Sequence, residues 1–252
     1  MIKFFPDTRI KILALLYGLI CHGFFAFAAI LMVVCLYTGF SWRLHPPLIQ
    51  TSSLINAILL VQFPFFHSFL LTKSGKKVLR IFFSPKLNNK LDTTTYATIA
   101  SFQLIILFLY WQPTGVQFWV AEQSVYIVLT ICYIFGWLLL AISSTQAGLQ
   151  LQTGSLGWIS LYTNKNIKFP DMPIKGLFSI VRHPIYLSFC IILWVSPYFT
   201  LDKLIIATSY TLYCYFAPIL KEKRFTSIYG SRFRVYKMNT PYFFPKISSL
   251  FK

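Results

Sequence analysis

Apolar positions in this chain come in long blocks, without the regular alternation of a soluble amphipathic fold. Six blocks can be read, at about 10–37, 48–71, 95–111, 123–142, 185–200 and 203–220. A helix needs roughly 20 mostly apolar residues to cross a bilayer core. The last two blocks are short and interrupted by Pro197 and Pro218. The pattern predicts an all-α, polytopic integral membrane helical bundle of about six transmembrane helices, with five as the alternative count. The first block reads as a span and not as a cleaved leader, since its apolar core is too long and no small-residue cleavage site follows.

Polar punctuation divides the chain further. The short loop 39–47 contains the turn signal His45-Pro46-Pro47. In the basic loop 72–94, Ser84-Pro85 and Asn88-Asn89 mark turns, and Asp92 and Thr93 are placed to cap the third helix. Trp111-Gln112-Pro113 closes that helix with an aromatic residue of the kind that sits at membrane interfaces. The stretch from Ser143 to Arg182 is the longest segment outside the apolar blocks. Its Trp158, Ile159, Leu161 and Tyr162 predict packing against the membrane face rather than disorder. No repeat or low-complexity tract appears, so one membrane-embedded domain over 1–252 is expected. Its N-terminal helices would occupy 1–142, and a binding loop, helical hairpin and tail 143–252.

Charge sharpens the topology. With 56 % apolar and only 12 % charged residues, the net charge of +17 is concentrated in a few loops. All but Arg43 and Lys203 of the 23 basic residues fall on one side of a six-span arrangement, in alternate connecting segments. The positive-inside rule then puts both termini and the two long loops in the cytoplasm. Either a bacterial inner membrane or the endoplasmic reticulum is compatible. The same bias, together with anionic lipid headgroups, accounts for the positive charge without nucleic acid, for which no motif is present. The five cysteines lie in apolar blocks without CxxC spacing and read as small buried hydrophobes. His22, His45, His67 and His183 are scattered without metal-ligand spacing, so no metal is expected. His22 reads as structural. His67 is a candidate for touching a substrate, because polar residues in spans face the bundle interior more often than lipid.

The densest chemistry is Arg182-His183-Pro184-Ile185-Tyr186. Pro184 suits the first turn of a helix, where its missing N–H costs nothing. Arg182 and His183 then flank a helix start whose free N–H groups favour an anion. The plainer reading, basic residues marking the interface, fits the spacing equally well. Spans five and six form a hairpin through Ser196-Pro197-Tyr198, so Arg182-His183 and Lys221-Glu222 return to similar depth. A surface salt bridge is one reading of Glu222; a carboxylate in a pocket closed by the aromatic, basic tail is the other. Such a pocket would take a zwitterionic, partly aromatic ligand, with Glu222 for its ammonium and Arg182 or His183 for its carboxylate.

Gly176, Arg182-His183-Pro184-x-Tyr186, Glu222 and Gly230-x-x-Phe233-x-x-Tyr236-x-x-x-x-Pro241 resemble the isoprenylcysteine carboxyl methyltransferase and phospholipid methyltransferase superfamily. His67-Ser68 and Trp111-Gln112-Pro113 look like its NnrU and methanethiol S-methyltransferase branch. The strong match covers roughly 170–245. The resemblance implies a membrane enzyme that binds S-adenosyl-L-methionine at its cytoplasmic face and methylates a small or lipophilic thiol or carboxylate. It assigns cofactor contacts to Met172, Pro173, His183, Pro184, Ile185, Tyr186, Glu222 and Tyr236, and catalytic roles to Arg182 and Glu222. Arg182 would orient either an anionic acceptor or the cofactor carboxylate. Two departures stand out: the family's Glu-Glu pair reads Lys221-Glu222, and its usual Tyr after the glycine is Phe233. Membrane lipids and the methyl acceptor are the expected partners. Two other readings stay open, an NADPH-dependent sterol or steroid reductase-like enzyme and a non-catalytic NnrU-like accessory protein. Ile185 before Tyr186, where the reductases usually carry Asn, counts against the first.

Overall fold

The computed structural model describes residues 8–41, 52–81 and 85–245. The expected turn at His45-Pro46-Pro47, and Ser84, lie outside them. Helices α1 (Thr8–Tyr37), α2 (Ser52–Leu70), α3 (Lys73–Ile81) and α4 (Pro85–Tyr110) are followed by strand β1 (Gln117–Val120) and α5 (Gln123–Gln146). Three short helices come next: α6 (Leu149–Gln152), α7 (Ser155–Tyr162) and α8 (Leu177–Ile180). The chain ends in α9 (Pro184–Trp194), β2 (Tyr198–Thr200), α10 (Leu201–Tyr229) and α11 (Ser231–Asn239). The protein is an all-α polytopic membrane protein. Among the described residues, α1, α2, α4, α5 and α10 contain stretches long and apolar enough to cross a membrane.

The contacts divide into two compact units. The first takes residues 1–33, 44–112 and 149–170; the second takes 34–43, 113–148 and 171–252. In the first, α4 is the hub, packing against α2, α3 and α7. Thr94 on α4 is completely buried because its hydroxyl donates to the Gly154 carbonyl (2.7 Å) and accepts the Trp158 amide (3.0 Å). The aromatic stretch around Trp158 therefore packs into this unit: Leu161 joins Ala14 and Leu91 in its core. The Asn88-Asn89 pair lies inside α4 rather than in a turn, since Pro85 starts the helix earlier and asparagine's weak helix propensity is readily overridden. Asp92 holds Arg80 of α3 at 2.8 Å instead of capping a helix. Trp111 is buried against the protein, beside a reciprocal pair of hydrogen bonds between Asn56 and the Gln112 backbone (2.7 and 2.8 Å). Of the cysteines, Cys132 is exposed on α5, facing outward like the apolar residues around it.

In the second unit, α9 packs against both α5 and α10, and α11 folds back on α10. The fifth apolar block is only half helical. The 11 residues of α9 rise about 16 Å, roughly half of a 30 Å hydrocarbon core. Helix α9 stops at Trp194 because Pro197 lacks an N–H to continue the ladder. The chain then runs on in largely extended form through Val195 to β2, which pairs antiparallel with β1. On α10, Leu201 and Glu222 are separated by roughly 31 Å of helix. Arg182 and Glu222 are ion-paired at one end, and Thr200 and Leu201 are consecutive at the other. The segment from Arg182 to Thr200 therefore covers the same distance, with its second half at about 3.3 Å per residue.

Candidate functional site

The turn that leads into the site depends on Gly176. Its φ of +62° lies in the left-handed region, and a Cβ there would collide with the Gln146 side chain. That glutamine accepts the Leu177 amide (2.9 Å) and so fixes the start of α8. After α8 the backbone turns extended at Val181, and His183 becomes the residue before the first turn of α9, with Pro184 opening the helix. Gly230, with φ +53°, makes the corresponding turn between α10 and α11 and directs α11 back toward that helix start.

Three segments meet on Glu222. Arg182 Nε donates to Glu222 Oε1 at 2.8 Å, and His183 Nε2 lies 3.0 Å from the same oxygen. Lys237 Nζ is 2.9 Å from Oε2. Arg182 also donates through Nη1 to the carbonyls of Lys237 (2.9 Å) and Thr240 (2.5 Å), while its backbone N–H reaches the Pro241 carbonyl (2.9 Å). Arg182, His183 and Glu222 are buried, whereas the Lys237 side chain is 53 % exposed. A buried pair of this kind contributes little net stability, but removing one member strands the other charge at a cost of about 3–5 kcal/mol.

The network fixes the state of His183. A carboxylate only accepts, so Nε2 carries the proton toward Glu222, and Nδ1 is left as the bare acceptor. That Nδ1 is buried and has no hydrogen-bond partner. Burial pushes the imidazole below its ordinary pKa, with Lys221 and Arg182 acting in the same direction and the bond to Glu222 opposing them. His183 is therefore neutral at pH 7.

Aromatic rings close the surroundings. Tyr242 meets the His183 ring edge-on at 4.8 Å and lies under the Arg182 guanidinium at 5.3 Å. Its hydroxyl donates to the Tyr215 carbonyl (2.7 Å), and burial pushes the phenol up to about 12. Tyr186 stands 6.0 Å from the imidazole on the α9 side. Tyr236 donates to the Phe178 carbonyl (2.6 Å), tying α11 to α8. Lys221, the residue at the family's first Glu position, places its ammonium 5.8 Å from the Phe178 ring centre and 5.3 Å from that of Phe225.

Of the residues singled out in the sequence, Arg182, His183 and Glu222 come into direct contact. Pro184, Ile185 and Tyr186 follow as the first turn of α9, and Tyr236 faces α8. Met172 is buried; its amide bonds the Asp171 carboxylate (2.7 Å), which grips Arg232 of α11 at 2.9 and 2.7 Å. Pro173 follows in the same irregular segment. One pairing differs from expectation. Arg182 and Glu222, read as separate handles for the two ends of a zwitterion, hold each other. Lys237, the Thr240 and Pro241 carbonyls and Tyr242 were missed. Lys237 directly follows Tyr236 of the motif, so its neighbourhood was marked although its role was not. In the other unit, His67 Nε2 bonds the Tyr96 hydroxyl at 2.7 Å, and His22 accepts from the Trp158 indole at 3.0 Å. The latter is a structural contact.

Comparison with known proteins adds the chemistry. Over 219 residues the chain is 27 % identical to a methanethiol S-methyltransferase of Pseudomonas deceptionensis, covering 83 % of this chain and 76 % of that protein. It is 24 % identical to a methanethiol S-methyltransferase of Crocosphaera subtropica, covering 92 % of both. It is also 25 % identical to the protein named Nurim of Danio rerio, over 73 % of this chain and 68 % of that one. No protein-family profile and no solved structure matches the chain. The likeness to the methanethiol S-methyltransferases therefore extends over most of the sequence, well beyond the C-terminal motif.

Proposed function

We propose that this protein is an integral membrane methyltransferase that moves a methyl group from S-adenosyl-L-methionine to a small thiol, at a site built around Arg182, His183 and Glu222. The observation that carries this reading is the similarity to methanethiol S-methyltransferases along 83 to 92 % of the chain. The residues present suit such a cofactor. Lys237 demonstrates that Glu222 Oε2 accepts an ammonium at 2.9 Å from a side chain that is half in solvent. A cofactor ammonium would take that place, and Tyr186 and Tyr242 offer faces for an aromatic base. Arg182, held by two carbonyls as well as by Glu222, acts here as a positioning residue that keeps the carboxylate aimed.

When bound, the cofactor supplies an activated methyl group on a sulfonium. The chain supplies orientation and exclusion of water, which account for much of the acceleration in a displacement of this kind. With both termini in the cytoplasm, the site opens on that side of the membrane. A single domain carrying both the span bundle and this site remains our reading of the chain.

The test is binding of radiolabelled S-adenosyl-L-methionine to the purified protein in lipid nanodiscs, with NADPH as parallel ligand, followed by detection of dimethyl sulfide from methanethiol. Saturable binding of the methyl donor and formation of the thioether are expected. Binding of NADPH instead would favour a reductase. Absence of both would favour a non-catalytic accessory protein, a reading to which Lys221 at the family's Glu position lends itself. A reporter fused after Lys252 is expected to read cytoplasmic; a periplasmic or lumenal signal would overturn the orientation.

A further inference from the structure

We infer that His183 Nδ1 is the base that removes the proton from the thiol acceptor, with Glu222 fixing the tautomer, and that the acceptor is therefore a weakly acidic alkanethiol. The inference rests on the thiol methyltransferase reading and adds to it a residue, an atom and a requirement on the substrate. A thioether forms efficiently only from the thiolate, and an alkanethiol is mostly protonated at neutral pH. A carboxylate acceptor, by contrast, arrives ionised and has no use for a base.

Three observations converge on Nδ1. First, its partner nitrogen is committed: Nε2 lies 3.0 Å from a carboxylate oxygen that Arg182 also holds. The lone pair on the far side of the ring is thereby defined. Second, Nδ1 is fully buried without a hydrogen bond, although the residue itself is only 3 % exposed. An unmet buried acceptor costs about 1–3 kcal/mol, and an apolar ring at this position would avoid that cost. Third, the charges around the ring match the reaction. Arg182, Lys221 and burial keep it unprotonated before the thiol arrives, while Glu222 stabilises the imidazolium once the proton is taken. Lys237 from α11 shares Glu222, and the neutral phenols of Tyr186 and Tyr242 flank the ring.

In the step itself, the S–H bond of the thiol breaks and an N–H bond forms on Nδ1. The electron pair stays on sulfur, giving a thiolate beside an imidazolium whose charge is shared with Glu222. The proton returns to water from Nδ1 after the thioether has left, so His183 is regenerated without any oxidant or reductant. General-base assistance of this type contributes typically about 10²–10⁴-fold.

The experiment compares methanethiol with benzenethiol, which is a much stronger acid and is largely ionised near neutral pH. In nanodiscs, His183→Gln is expected to lower methyl transfer to methanethiol about 10²–10⁴-fold and to benzenethiol by less than about tenfold. Equal losses on both thiols would overturn the inference while leaving the methyltransferase reading intact. If the wild type methylates neither thiol, the underlying reading fails instead. Two measurements need no variant. The wild-type rate on methanethiol is expected to rise with pH through the His183 titration, below the ordinary imidazole value, and then stay flat. A rise continuing up to the thiol's own pKa would mean that water supplies the thiolate. Nitrogen-15 NMR of labelled histidine, without methyl donor at pH 7, is expected to show a neutral His183 protonated on Nε2; a proton on Nδ1 would overturn the assignment.

Discussion

The two ends of α10 bury charge in opposite ways. Near its start, Asp202 is 2 % exposed and Lys203 is fully buried. Asp202 accepts from the Thr114 amide (3.0 Å) and hydroxyl (2.8 Å), and Lys203 donates to the Leu36 carbonyl (2.9 Å). Beside them the Thr200 hydroxyl caps the helix at the Lys203 amide and donates to the Gly39 carbonyl. Fixed dipoles of the fold are thus among the partners of both groups. Near the other end, Glu222 is held by three side chains that carry or can carry positive charge, and a ring nitrogen is left over. A group met by backbone dipoles keeps those partners as long as the local backbone holds its shape. A carboxylate met by a half-exposed lysine can change partners, which is why the second arrangement suits ligand exchange and the first suits a hinge-free joint between α10 and the β1–β2 pair.

Breaking the Glu222 end should have the largest effect. Glu222→Ala leaves the Arg182 guanidinium buried without its counter-charge, and a loss of about 3–5 kcal/mol is expected. Binding of the methyl donor should disappear with it, including at temperatures where the variant stays folded. Thermal unfolding and radioligand binding in the same nanodiscs check both. Wild-type affinity in a folded Glu222→Ala protein would remove the site from this end of the helix.

The start of α10 should respond to comparable changes in stability alone. Asp202→Ala strands the Thr114 amide and hydroxyl, for an expected loss of about 1–3 kcal/mol. Lys203→Met replaces a buried amine by an apolar chain of similar length, a change expected to fall within about 1 kcal/mol of neutral. Donor affinity and methyl transfer should match wild type in both. A Lys203→Met protein that folds but binds no donor would erase the contrast between the two ends.

That contrast was only half legible in the sequence. The block lengths predicted the long helices, and Arg182-His183-Pro184 announced a helix start because proline's missing N–H fixes its position. The hairpin between 182 and 222 followed from block lengths alone. What could not be read was the half-length α9. An apolar run looks the same whether it is helical or extended, so block 185–200, short and interrupted by Pro197, could be read only as a short helical span or as none. The neutralisation of Arg182 by Glu222 also escaped, because two buried charges 40 residues apart show no pairing pattern in a linear string. Lys237, the carbonyls of 240 and 241, and the orphaned Nδ1 of His183 became visible only once the Gly230 turn had returned α11 to the start of α9.

A smaller effect is expected at the tether between the binding loop and α11. Arg232 beside Asp171 holds that carboxyl below its usual range, with the Met172 amide adding to the effect. A carboxylate with a depressed pKa contributes above its unfolded value, near 3.9, and the contribution fades as pH falls through the depressed value. The tether is therefore present throughout the neutral range. Asp171→Asn or Arg232→Ala should speed amide hydrogen exchange at Met172 at pH 7 and leave global stability unchanged. Unaltered exchange would mean that the burial of Met172 alone holds the loop.

The smallest effect probes whether Glu222 truly exchanges partners. Lys237 is half exposed, so its bond to Oε2 forms in a largely aqueous setting, where such a pair contributes up to about 1 kcal/mol. If the ammonium of the methyl donor takes the same oxygen, Lys237 competes with it, and removing the lysine relieves the competition. Lys237→Met is then expected to tighten donor binding by about two- to fivefold, the equivalent of that pair energy. The backbone carbonyl at 237 stays available to Arg182, so the aim of the carboxylate should not change. The opposite sign, a weaker complex, would assign Lys237 to the cofactor's carboxylate instead. It would also make the Glu222 end as fixed in its partners as the end that holds Asp202, and that is the result that would dissolve the difference between them.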